Sequence, residues 1–162
     1  ELTDETSDLE LAESSIREIR EAENVTPAIS NLGLMGHAFV AIHRNDVERY
    51  ADLYRELLPL RGRWIWMMTM DRALGRLASR MGDRLTAETH FEEGIADARS
   101  AEHAPELAWT CSDYADMLID RDNPGDSKKA TQLHDKAITI ATELGMKPLL
   151  ERVLAQREML KA

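Results

Sequence analysis

Residues 71–94 read DRALGRLASRMGDRLTAETHFEEG, and this stretch decides the fold. Leu74-Gly75 sits inside a helical pattern, which Met81-Gly82-Asp83 breaks. Ala87 and Phe91 then lie four apart on the next helix. Two amphipathic helices that meet this way need a small residue where their backbones come closest. Gly75 and Ala87 can supply it, with Phe91 filling the space alongside.

The pattern recurs on both sides. Upstream, Leu32, Met35-Gly36 and Phe39 keep the first-helix spacing, followed by Tyr50 and Tyr54. Downstream, Leu107, Thr110-Cys111 and Tyr114 keep it again, followed by Ala130, His134 and Ala137. The small position falls at Gly36, Gly75 and Cys111, a period of 39 and then 36 residues. This is close to the W-x2-LG-x2-Y…A-x3-F spacing of a tetratricopeptide unit, with Asp71 in place of the Trp and Ala78 in place of the Tyr. The period exceeds the strict repeat and belongs among helical-hairpin solenoids. The competing reading is an irregular helical bundle with coincidental glycines. The expected fold is all-α: a right-handed helical-hairpin solenoid, tetratricopeptide-like, of about eight antiparallel helices in one domain spanning 1–162.

Composition agrees. The chain has 162 residues, enough for one domain with a substantial core. Leu, Ala, Glu, Arg and Met dominate and favour helix. No segment alternates polar and apolar residues for long enough to suggest a strand. The net charge is -10, and residues 1–23 alone hold nine acids against two arginines. Such a surface repels a phosphate backbone, which argues against direct nucleic-acid binding. Cys111 is the single cysteine, so an internal disulfide and a cysteine-based metal site are excluded. It reads as a small buried residue. The N-terminus is acidic and lacks the apolar core of a signal peptide, and the run from Trp64 to Met70 is too short to span a bilayer. The expectation is a cytoplasmic protein with no membrane contact. The chain opens on Glu1 and not on methionine, which suggests a fragment of a larger protein.

Taken in order, the first helix covers about residues 7–22, with Leu9, Ala12, Ile16 and Ile19 on one face and acids on the other. Thr26 caps the second helix and Pro27 fits its first turn. Asn45-Asp46 makes a turn and caps the third, which ends near Leu58. The fourth spans about Trp64–Arg80 and opens on an apolar segment that reads as deeply buried or part of an interface. The fifth covers about 84–100 and the sixth 105–120, with Pro105 in its first turn. Asp126 or Ser127 caps the seventh, Gly145 ends it, and Pro148 opens a short last helix.

No chemistry of a catalytic site stands out. None of the five histidines has a glutamate three residues before it, and H-E-x-x-H is absent. His90 and Glu93 lie three apart on one helix and read as a surface contact. His134 falls at the aromatic repeat position and reads as partly buried packing. Glycine-rich phosphate loops, G-x-S-x-G and a cysteine–histidine pairing are all missing. The expectation is a protein that is not an enzyme and has no cofactor or metal.

From Leu32 onward, about 130 residues, the chain resembles the degenerate tetratricopeptide region found C-terminal in large bacterial signalling ATPases, such as LuxR-class transcriptional regulators and cyclase-linked ATPases. The carrying stretches are Leu53 to Pro59, Ala87 to Glu92 and Asp113 to Leu118, then Pro124-Gly125-Asp126 and Glu143 to Met146. The chain departs from that pattern in carrying neither an ATPase nor an output domain. The resemblance implies a sensing or protein-interaction scaffold, cytoplasmic and bacterial, that takes part in signalling or transcription regulation.

In the tetratricopeptide resemblance the first helix of each unit lines a concave groove. By spacing, this places Thr69, Arg72, Arg76 and Arg80 there, joined by Ser30, Gly33 and His37 from the first unit and Ser112 and Asp116 from the third. Arginine forks suit carboxylates, so an acidic peptide or a neighbouring domain of the same chain is the expected partner. The bland reading is a solvated face whose arginines pair with Glu88, Glu92 or the acidic first helix. The alternative function is a small-molecule effector sensor with an apolar pocket near Trp64, Trp66 and Trp109. Apolar surface around Ile16 and Ile19, or around Trp64 to Met67, suggests a homodimer.

Overall fold

The computed structural model describes residues 2–22 and 24–159. Among them the chain is all-helical apart from one small hairpin. The helices are α1 (Leu2–Glu21), α2 (Pro27–Arg44), α3 (Val47–Leu57), α4 (Met70–Arg80), α5 (Arg84–Ser100), α6 (Ala104–Arg121), α7 (Asp126–Glu143) and α8 (Lys147–Met159). Strands β1 (Trp64–Ile65) and β2 (Met68–Thr69) lie before α4. The part of the acidic α1 face carried by Glu1 and Glu23 lies outside the described residues. No described helix is long and apolar enough to cross a membrane.

Internal packing divides the chain into two compact units, residues 1–83 and 84–162. In the first, α2 packs against α1, α3 and α4, and α3 against α4. Its core gathers Met35, Ala38 and Ile42 of α2, Tyr50, Leu53 and Leu57 of α3, and Met70, Ala73, Leu74 and Leu77 of α4. The two α2 glycines meet α1. A Cβ on Gly33 would lie 2.9 Å from Ile19 Cγ2, and one on Gly36 would lie 3.3 Å from Ile16 Cδ1. Gly33, expected in the groove, is therefore covered by α1.

In the second unit α6 is central, packed by α5, α7 and α8, with α7 also against α8. The small residues Ala87, Ala130 and Ala137 are fully buried, as is Cys111. Phe91 stacks on Tyr114 with ring centroids 5.4 Å apart. Burial pushes the Cys111 thiol up to about 11, which leaves it inert at neutral pH.

Sequence signals place most helix starts. Thr26 accepts the Ile29 N–H at 3.5 Å, and prolines stand in the first turns of α2 and α6. Two expected caps are corrected. Asp46 stands at the α3 N-cap, but its carboxylate pairs with Arg49 at 3.0 Å and caps no backbone group. Asp126 is the first residue inside α7, after Gly125 at φ +95°, and its carboxylate turns back to Arg121 and the Asn123 N–H. His103 caps α6 through Nδ1, which accepts the Glu106 N–H at 3.1 Å.

The largest correction concerns residues 64–69. They form an antiparallel hairpin, Trp64 opposite Thr69 and Ile65 opposite Met68, and α4 begins only at Met70. Aromatic and β-branched residues suit a pleated backbone. Two hydrogen bonds tie the hairpin base to α4. The Gly62 N–H donates to Asp71 Oδ2 at 2.7 Å, and the Met70 N–H to the Arg63 carbonyl at 3.0 Å. Thr69 then caps α4 by accepting the Arg72 N–H. The apolar segment is buried only in part: Ile65 points inward, while Trp66 is 81% and Met67 60% exposed.

Trp66 has φ +55°, the left-handed region, at the first position of a two-residue hairpin loop. That position favours glycine, and a bulky L-residue there stores about 1–2 kcal/mol. Trp66→Gly is therefore expected to stabilise the chain by about 1 kcal/mol, since the exposed indole contributes little packing. Trp66→Ala keeps the Cβ and should match the parent. Urea midpoints check this; a lower midpoint for the glycine variant would show that the indole holds the hairpin together.

Candidate functional site

The groove residues proposed from the sequence fall seven in the first unit, Gly33 included, and two in the second. On α2, Ser30 is exposed and His37 half-buried. Thr69 is fully buried as the α4 cap. The arginine stripe runs from inside to outside: Arg72 is 6% exposed, Arg76 half-buried and Arg80 exposed. The guanidinium carbons of Arg72 and Arg76 stand 5.6 and 4.9 Å from the Phe39 ring centroid. Each such contact is worth about 0.5–2 kcal/mol, so both arginines hold α4 against α2.

Beside His37 the first unit opens a cleft of about 370 Å³ between α1, α2 and α3, lined by Glu13, Ile16, Arg17, Glu21, His37 and Arg49. It continues along α3 past Asp52, Leu53 and Glu56. Arg49 Nη1 stands 2.7 Å from His37 Nε2, and since arginine only donates, Nε2 accepts. Arg49 Nε also meets Asp46, and Arg44 closes on Glu13 at 2.9 Å. The cleft therefore offers apolar floor residues, Ile16 and Leu53, between charged walls, a mixture suited to an amphipathic segment.

In the second unit Ser112 and Asp116 lie one turn apart on α6, facing His134 of α7. Arg152 of α8 donates to Asp113 Oδ1 at 2.8 Å and Asp116 Oδ2 at 2.5 Å, and its guanidinium lies 5.8 Å from the Trp109 ring centroid. Asp116 Oδ1 is 3.6 Å from His134 Nε2, too long for a hydrogen bond. Ser112 Oγ, Asp116 Oδ1 and both nitrogens of His134 are buried without a hydrogen-bond partner. His134 is fully buried, deeper than the partial burial expected of it. His90 is also corrected: it is 2% exposed and no surface residue.

A second polar group joins α5, α6 and α7. Arg121 donates to both oxygens of Asp126, at 2.8 and 2.7 Å, and to Glu88 Oε2 at 2.6 Å. The Tyr114 hydroxyl donates to Glu88 Oε1 at 2.7 Å and accepts from Lys129 Nζ at 2.5 Å. Lys129 also meets Glu92 at 2.7 Å. The hydrogen bond from Arg121, then those from Tyr114 and Lys129, pull Glu88 down to about 2 against the effect of burial. Arg121 likewise pulls Asp126 down to about 2, helped by the Asn123 N–H. Burial and the adjacent Glu88 raise Tyr114. Glu88 and Glu92, named from the sequence as pairing partners for the arginine stripe, are engaged by this network.

Of the tryptophans, Trp64 is half-buried and Trp66 exposed in the first unit, while Trp109 is half-buried beside Arg152 in the second. Spacing named His37 and Asp116 but not Arg49 or Arg152, which complete the two groups from other helices. No protein-family model, curated protein or solved structure matches the chain.

Proposed function

We infer that this chain is a non-catalytic interaction module, a tetratricopeptide-like right-handed solenoid of a bacterial signalling or transcription-regulatory protein. It holds a peptide, or a neighbouring domain of its own chain, in a groove lined in part by α2, the first helix of its first repeat. The observation that carries this reading is the open cleft between α1, α2 and α3, with His37 and Arg49 at its centre. Its size suits several side chains of an extended segment, and helical repeats use such surfaces for binding. Arg80, exposed at the end of α4, adds a cation for an acidic partner.

Labelled protein applied to a peptide array tests the reading, repeated with Arg49→Glu. Arg49 is exposed, so its reversal should leave the fold intact while inverting the charge of one cleft wall. Peptides retained by the parent and lost by the variant are expected. An array on which both retain the same peptides, or none, removes the cleft as the binding site.

A further inference from the structure

The hairpin tip poses a separate question. Folding alone favours glycine at position 66, yet a tryptophan stands there, exposed and next to exposed Met67. Strain retained at an exposed aromatic residue is explained by a contact the isolated chain does not make. The charge around the tip narrows the partner. Residues 57–70 hold two arginines and no acid, and Arg63 at the hairpin base is exposed. The partner therefore presents an apolar point with an acidic fringe.

The chain carries such a surface itself. On the outer face of α1, Leu11 is 66% exposed. Ser14 and Ser15 follow it, their hydroxyls turned back on the Leu11 carbonyl at 2.9 Å, which leaves a low platform beside the leucine. Exposed Glu10 and Glu18 fringe it, and residues 1–23 hold nine acids against two arginines. The cleft takes other residues of α1, namely Glu13, Ile16, Arg17 and Glu21.

We propose that the Trp66–Met67 tip of one chain docks on the Leu11 face of α1 in a second copy, with Arg63 set against the glutamates. One such contact is smaller than the roughly 1,200 Å² that a stable interface buries. A two-fold arrangement supplies it twice, each chain giving its tip to the other's α1, and closes the assembly as a dimer. The indole then fills a site at an interface and the cost at Trp66 is recovered on association.

Light scattering on the full chain across the micromolar range tests this. The parent should show the mass of two chains, and Trp66→Gly, though better folded, the mass of one. Arg63→Glu and Glu18→Arg should each dissociate at concentrations at least about tenfold higher, since like charges then face each other in both contacts. Mixed in equal amounts, those two variants should restore the dimer, because one contact keeps its original charges and the other has them exchanged. A parent that stays monomeric overturns the proposal. So does a dimer indifferent to Trp66→Gly, or a mixture that stays dissociated. None of these outcomes bears on the cleft, whose peptide binding is read separately with Arg49→Glu.

Discussion

Arg121→Met should destabilise the second unit by about 3–5 kcal/mol, more than any other single change considered in this chain. The guanidinium makes three charged hydrogen bonds, two to Asp126 and one to Glu88. The arginine side chain is 14% exposed and that of Asp126 6%. Methionine keeps much of the volume but leaves the buried Asp126 carboxylate with the Asn123 N–H alone, while Glu88 keeps Tyr114 and Lys129. The same contacts set the response to acid. The ordinary values of 4.5 for Glu88 and 3.8 for Asp126 both fall to about 2 on folding. A carboxyl held below its unfolded value stabilises the native state above that unfolded value. The contribution is then lost as pH falls through the folded value. Parent stability should therefore decline from about pH 4.5 down to about pH 2. In Arg121→Met the stability at neutral pH is already lower, and the acid slope should be shallower. Urea unfolding at a series of pH values reads both effects. Parallel slopes for the two proteins would mean that other carboxyls govern acid unfolding.

Arg152→Ala should cost about 3 kcal/mol and loosen α8. Asp113 is the reason: its side chain is 2% exposed and Arg152 lies 2.8 Å from it. The arginine also engages Asp116 and the Trp109 ring, so its loss removes packing along with charge. Arg157→Ala is the fitting comparison, because Arg157 also ties α8 to a neighbouring helix, pairing with Asp135 of α7 at 2.6 Å. Asp135 is 59% exposed, and an exposed pair is worth about 0–1 kcal/mol. Hydrogen exchange should show α8 amides opening far more readily in Arg152→Ala than in Arg157→Ala. Equal protection in the two variants would show that Leu149 and Val153, both fully buried, hold the helix without the ion pair.

The helices were legible because each carries its own signals. An apolar residue every third or fourth position, a proline at residue 27, 105 or 148, and a turn cluster between helices are local features. Helix formation in α2, α5, α6, α7 and α8 obeys them within a few residues. Ala87, Ala130 and Ala137 were marked as packing positions by the same spacing, and all three are fully buried. The hairpin at Trp64–Thr69 was not legible. Two-residue strands are too short to show an alternating pattern, and the bonds that hold them reach from Gly62 to Asp71 and from Arg63 to Met70.

The sequence by itself therefore determined an all-helical chain and the approximate ends of most helices. Periodicity reports which residues share a face. Only the tertiary structure decided which of those faces is covered. Arg72 and Arg152 are the same residue type on regular helices, yet one lies against Phe39 and the other between two aspartates and Trp109. Asp126 has the composition of a helix cap, but Arg121 holds its carboxylate. His37 and Arg49 meet across a twelve-residue separation to centre the cleft. Charge pairing depends on which helix comes to lie alongside, and a side chain takes the nearest partner that shields it from losing water.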